Sequence, residues 1–140
     1  MEDRFEITYQ TTIDAPIDLV WDALVNPDIV KQYFYGSTIN TDWQIGSPIE
    51  FTGEYEGKSY KDKGEIQEYI PNQVLSYSYL SDWSGLEDVP ENYLLVTYRV
   101  QKLDEGTELT ITQTNYDEEK AAHSKESWQT VVEGLKKIVE

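Results

Sequence analysis

The sequence has no cysteine, which removes disulfides, thiolate metal ligands and thiol catalysis together. A single histidine leaves imidazole chemistry only one address. Nowhere do 18 apolar residues follow one another, so no segment reads as a membrane-spanning helix. Basic residues are scarce: 11 Lys and Arg stand against 27 Asp and Glu, a formal net charge of −16. Such a chain repels phosphate backbones and anionic lipid surfaces, and no Lys/Arg-rich run offsets this locally. Neither nucleic acid nor a membrane is therefore expected as a partner. The opening Met1-Glu2-Asp3-Arg4-Phe5 lacks the basic and apolar regions of a secretory leader, so the expected location is cytoplasmic.

What is present argues for a folded chain. Aromatics make up 13% of the residues, a load that disordered acidic chains do not carry. At 140 residues the length fits one domain, expected to span the whole chain. A chain near that size buries roughly 68–70% of its unfolded surface, enough for a core.

Periodicity supplies the elements. Phe5, Ile7, Tyr9, Thr11 and Ile13 alternate with polar residues, the period of a half-buried strand. Pro16 then precedes Ile17, Val20, Trp21, Leu24 and Val25, spaced for an amphipathic helix. Asn26-Pro27 ends it, because the residue before proline is pushed out of the α region. Asp28 to Phe34 predicts a second short helix, closed by Gly36. From Ser37 to Asn115 the pattern is β: alternation at Ile39–Trp43, at Ile49, Phe51 and Tyr55, and at Leu75, Tyr77 and Tyr79. Lys61 to Ile70 reads as a polar strand between two turns. Leu94-Val96-Tyr98-Val100 and then Leu109 with Ile111 complete the series, with Asp104-Glu105-Gly106 as the turn between them. Asp82 to Asn92 reads as a loop. Lys120 to Glu140 carries an apolar stripe of Trp128, Val131, Val132, Leu135, Ile138 and Val139, which predicts a long C-terminal helix. Gly134 sits inside it, either because helix and sheet approach closely there or because the helix tolerates it. An antiparallel sheet with one apolar face needs a cover, and that helix supplies it, which gives an α+β architecture.

Asp14-Ala15-Pro16, Val20-Trp21 and Asn26-Pro27 together resemble the opening of the START-like superfamily. Asp42-Trp43 with Gly46-Ser47-Pro48, Gly64-Glu65-Ile66, Pro71 with Leu75, Gly106-Thr107 with Leu109, and Trp128 are similar to its subgroup of heat-shock-protein-90 ATPase activator homologues. The resemblance runs from about Ile7 to Val139. It implies a helix-grip fold, in which a curved antiparallel sheet wraps around a long C-terminal helix, with two short helices after the first strand. It also implies a cavity between sheet and helix. Members of the superfamily include carriers of apolar ligands, co-chaperones and polyketide cyclases, so function has to be argued from the site.

Within such a fold, alternation turns Phe51, Tyr55, Tyr77, Tyr79, Val96, Tyr98, Leu109 and Ile111 inward, beneath Trp128. Tyr33, Phe34 and Trp43 are expected near one mouth. Tyrosines suit a ligand pocket because each ring is an apolar body with one hydroxyl; the same rings serve equally as core filling. Buried hydroxyls need partners, which a ligand, a water or a neighbour such as Gln113 supplies. Trp83, in the acidic loop with Asp82, Glu87, Asp88 and Glu91, reads either as a gate or as the anchor of a solvated connection. His123, with Glu119 and Glu126 nearby, reads as solvated helix surface rather than a metal site. No Ser-His-acid signature is present, and neither metal nor cofactor is expected.

The favoured reading is non-enzymatic binding of a small apolar or aromatic molecule. The expected ligand-binding residues are Tyr33, Trp43, Phe51, Tyr77, Tyr79, Trp83, Tyr98 and Trp128. The alternative is a stress-related co-chaperone that binds a chaperone through the acidic surface. Eukaryotic activators of the resembled subgroup carry a further domain for much of that contact, for which these 140 residues leave no room. A cyclase-type enzyme ranks third, because the expected inward positions are nearly all uncharged.

Overall fold

The computed structural model describes residues 5–34, 36–82 and 85–140, with the Tyr55 side chain left out. Along the chain lie β1 (Ile7–Ile13), α1 (Ile17–Val25), α2 (Pro27–Tyr33), β2 (Thr38–Asn40), β3 (Pro48–Tyr55), β4 (Lys58–Ile70), β5 (Val74–Tyr79), β6 (Leu94–Lys102), β7 (Thr107–Gln113) and α3 (Glu118–Val139). The strands form one antiparallel, curved, seven-stranded sheet in the order β1-β7-β6-β5-β4-β3-β2. This is the α+β helix-grip arrangement. From β2 to β7 the sheet is a meander, and β1 closes the far edge by pairing with β7.

The curvature comes from β4. Its first half, Lys58 to Glu65, pairs with β3, whereas Ile66 to Ile70 pairs with β5, with a register shift between Ile66 and Glu68. At the changeover stands Gly64, where an added Cβ would overlap the carbonyl oxygen of Ser78. Only glycine lets the two backbones come that close.

Asn26 separates α1 from α2 and serves both. It ends α1 in an extended conformation, and its side chain accepts the Asp28 N–H at 3.0 Å to cap α2, where Pro27 takes the first position. Asp117 caps α3 by accepting the Lys120 N–H at 2.8 Å, so the long helix begins slightly before the predicted start. Trp128, Val131, Val132 and Leu135 are buried against the sheet. The close approach at Gly134 is to α2 rather than to the sheet: an added Cβ would sit 3.1 Å from Tyr33 Cβ.

One segment differs from expectation, and the expected loop after Asp82 is held by contacts of its own. The alternation at Ile39–Trp43 forms a strand only to Asn40, because Trp43 adopts φ 61°. Asp42 stabilises that turn by accepting the Gln44 N–H at 3.1 Å. The segment after Asp82 contains a short 3₁₀ turn, Pro90–Asn92, and is tied down by the Lys63–Asp88 ion pair and by Tyr116, whose hydroxyl donates to the Asn92 carbonyl at 2.7 Å. The gating role read for Trp83 lies outside the described residues.

Candidate functional site

A cross-strand row builds the floor of the site. Ile66, Tyr77, Val96 and Gln113 stand opposite one another on β4 to β7. The last three line a cavity of about 1070 Å³ that is open to solvent. Its roof is the N-terminal half of α3. In the C-terminal half, Val132 and Leu135 fill the space over the sheet, each contributing ~1.5–3 kcal/mol on burial. Toward the N-terminus the helix instead presents Ser124 and Ser127, half-buried and three apart, to the cavity, with Lys120 and His123 exposed at its rim. These side chains are small or polar and do not fill the gap, which leaves the hollow. Phe34 closes the inner end, with its ring 5.8 Å from Trp128 and 6.2 Å from Phe51.

Polar groups on and behind the lining are arranged in pairs. Tyr79 donates its hydroxyl to Asp62 Oδ2 at 2.5 Å, and the Asp82 N–H donates to Asp62 Oδ1 at 2.8 Å. The Ser37 and Tyr60 hydroxyls lie 2.5 Å apart. Tyr77 and Tyr98 share a hydrogen bond of 3.1 Å, and Trp128 Nε1 donates to Gln113 Oε1 at 2.7 Å. Burial pushes the phenol pKa of Tyr77 upward, with the Tyr98 hydrogen bond pulling the other way. Burial, followed by the neighbouring Asp62 charge, also raises Tyr79, so its hydroxyl stays a neutral donor across the physiological range. Glu119, His123 and Glu126 line the α3 side. Among the described residues no cluster of three His, Asp or Glu is placed to hold a metal ion.

Three of the predicted residues, Tyr77, Tyr79 and Trp128, line the large cavity. Tyr33, Trp43, Phe51 and Tyr98 do not; with Tyr77 they enclose a void of only about 10 Å³ behind it. Tyr33 and Trp43, both half-buried, thus stand away from the lining of the large cavity. Tyr33 is anchored by donating its hydroxyl to the Ala23 carbonyl at 2.7 Å, and Trp43 stacks on Tyr69 at 5.4 Å. Phe34 does reach the large cavity. Leu109 and Ile111 are fully packed core. Gln113 is spent on the indole of Trp128, while the two inner tyrosines satisfy each other. The expectation of an almost uncharged lining is overturned by Asp62, Glu119, Lys120 and Glu126. Asp62 could have been found: Tyr60, Asp62, Gly64 and Ile66 lie two apart, and buried Ile66 marks their shared face as inward.

A family model described as activator of Hsp90 ATPase homolog 1-like protein matches residues 14–140. Comparison with curated proteins found no match. Among solved structures, ChR145 from Cytophaga hutchinsonii is 44% identical, with a TM-score of 0.85 over 99% of this chain and 95% of that one. The Aha1 dimer from Colwellia psychrerythraea is 19% identical, with a TM-score of 0.75 over 96% of each chain. DynU16, from the dynemicin biosynthetic locus, is 20% identical with a TM-score of 0.77 over 98% of this chain and 47% of that one. These last two share the fold.

Proposed function

This chain belongs to the family of activator of Hsp90 ATPase homolog 1-like proteins, and from that premise we propose that it binds a small, largely apolar or aromatic molecule between the sheet and α3. The observation that carries the reading is the cavity of about 1070 Å³ walled by Phe34, Tyr77, Tyr79 and Trp128. Ligand pockets are typically apolar and aromatic with a few placed polar groups, at volumes of roughly 300–1,000 Å³. Two tyrosines of the lining favour binding over turnover. An efficient general acid or base has a pKa near the working pH, whereas Tyr77 and Tyr79 are driven away from it by burial.

Thermal unfolding against a panel of sterols, flavonoids, fatty acids and aromatic metabolites tests this. A ligand that binds only the folded state adds ~2.7 kcal/mol at 100 times its Kd, which moves Tm by about 6–15 °C in a domain of this size. We expect a saturable shift that Tyr79→Ala abolishes and Thr112→Ala, on the other face of β7, preserves. Equal effects of the two substitutions would overturn the site. No shift across the panel would overturn ligand binding and favour the second reading, a protein partner such as a chaperone recognised through the net charge of −16.

A further inference from the structure

The charges around the cavity restrict what it takes. Three carboxylates, Asp62, Glu119 and Glu126, line it against one ammonium, Lys120. Lys120 is already engaged, with its Nζ 3.2 Å from Asp117 Oδ2. The positive end of the α3 dipole is offset in the same way, because Asp117 caps the helix and Glu118 and Glu119 occupy its first turn. An anionic ligand would therefore meet more carboxylates than basic groups, since Lys120 and His123 are the basic side chains among the described residues of the lining. Asp62 offers the opposite. Its oxygens accept from Tyr79 and from the Asp82 N–H, one bond each. A carboxylate has about four acceptor positions, so roughly two remain open. Asp62 is half-buried beside the Tyr79 ring, where a charge-assisted hydrogen bond is less weakened by water than at the surface.

Resting on the ligand-binding reading above, we propose that the ligand is an aromatic molecule that presents a hydrogen-bond donor, best a protonated amine, to Asp62 and carries no carboxylate. The ring system would lie against Tyr77, Tyr79 and Trp128, which also favours a cation held near their faces. Fatty acids and other amphiphilic acids would be rejected.

Calorimetric titration with three naphthalenes that differ in one group tests the assignment: 2-(1-naphthyl)ethylamine, 2-(1-naphthyl)ethanol and 1-naphthylacetate. The amine should bind at least tenfold more tightly than the carboxylate, a difference of ~1.4 kcal/mol, with the alcohol between them. Asp62→Asn keeps the shape and should bring the amine to within about threefold of the alcohol, while alcohol binding, unchanged, reports an intact cavity. Glu105→Gln, at the far end of the β6–β7 hairpin, removes the same charge and should leave the amine preference in place. If the carboxylate binds as tightly as the amine, or if the amine preference survives Asp62→Asn, the ligand assignment is overturned and the binding cavity stands. If Glu105→Gln erases the preference, the effect belongs to net charge and Asp62 is not its source. If none of the three binds, the cavity reading falls with the assignment.

Discussion

Tyr77 and Tyr98 are both buried, and their hydroxyls are each other's partner at 3.1 Å. Leaving one such group unpaired costs about 1–3 kcal/mol, more than the net worth of the hydrogen bond. Tyr77→Phe or Tyr98→Phe alone should each destabilise the protein by ~1–2 kcal/mol in urea unfolding. The double variant strands no hydroxyl, so its loss should be clearly smaller than the sum; strict additivity would mean that the two groups do not depend on each other. This pair was legible in the sequence, because alternation places both tyrosines inward on successive strands. Trp128 was legible for the same kind of reason. Asp62 was overlooked because its own charge, with Lys61 and Lys63 on the other face, made the strand read as polar, although Tyr60 and Ile66 share its face. The exclusion of Tyr33, Trp43, Phe51 and Tyr98 from the large cavity was not legible either. Pattern assigns a face, but whether rings on that face touch one another or enclose space depends on how far the helix stands off.

That stand-off is set at the level of elements. α3 presses on α2 at Gly134, fills the core with Val132 and Leu135, and then offers serines where the cavity begins. The element order and the long helix were legible from period and turn residues, since β7 alternates buried with half-buried positions and α3 keeps one buried stripe. The bend inside β4 was not, because its shift of the inward position from Ile66 to Tyr69 is a single break of period in a strand with few apolar residues. A second trace is Gly64. Gly64→Ala forces a methyl group into the Ser78 carbonyl, a backbone atom that has no rotamer by which to escape. Overpacking of this kind costs about 1–3 kcal/mol or more. Gly53→Ala meets the side chain of Tyr60 instead, 2.6 Å from its hydroxyl oxygen, and that ring can swing aside. The urea midpoint should therefore fall much further for Gly64→Ala than for Gly53→Ala. Equal losses would show that β4 and β5 are free to separate at the bend, contrary to the close approach argued here.

For the molecule as a whole, acidity and buried phenols together set the pH range of the fold. A net charge of −16 makes the surface self-repelling at neutral pH, so the core must hold the chain together against it. Part of that core is Tyr33, Tyr77, Tyr79 and Tyr98, whose phenols are all raised above the ordinary value of 10.0, with burial as the leading cause. Once unfolded, these groups would ionise near that ordinary value. Above about pH 10 the unfolded chain therefore holds fewer protons than the folded one, and stability falls as pH rises. Below pH 10 both states keep these phenols protonated and the contribution is fully present. Ionisation would also add negative charge to a chain that already carries an excess, which pushes in the same direction. Alkaline titration followed at 295 nm for tyrosinate and at 222 nm for helix should show two classes among the 11 tyrosines. Exposed ones should ionise first with the helix signal intact, and the remainder should ionise in a steep step that coincides with its loss. If all 11 ionised near pH 10 while the 222 nm signal held, these rings would be reaching solvent in the folded state, and the packed floor beneath the cavity would be wrong.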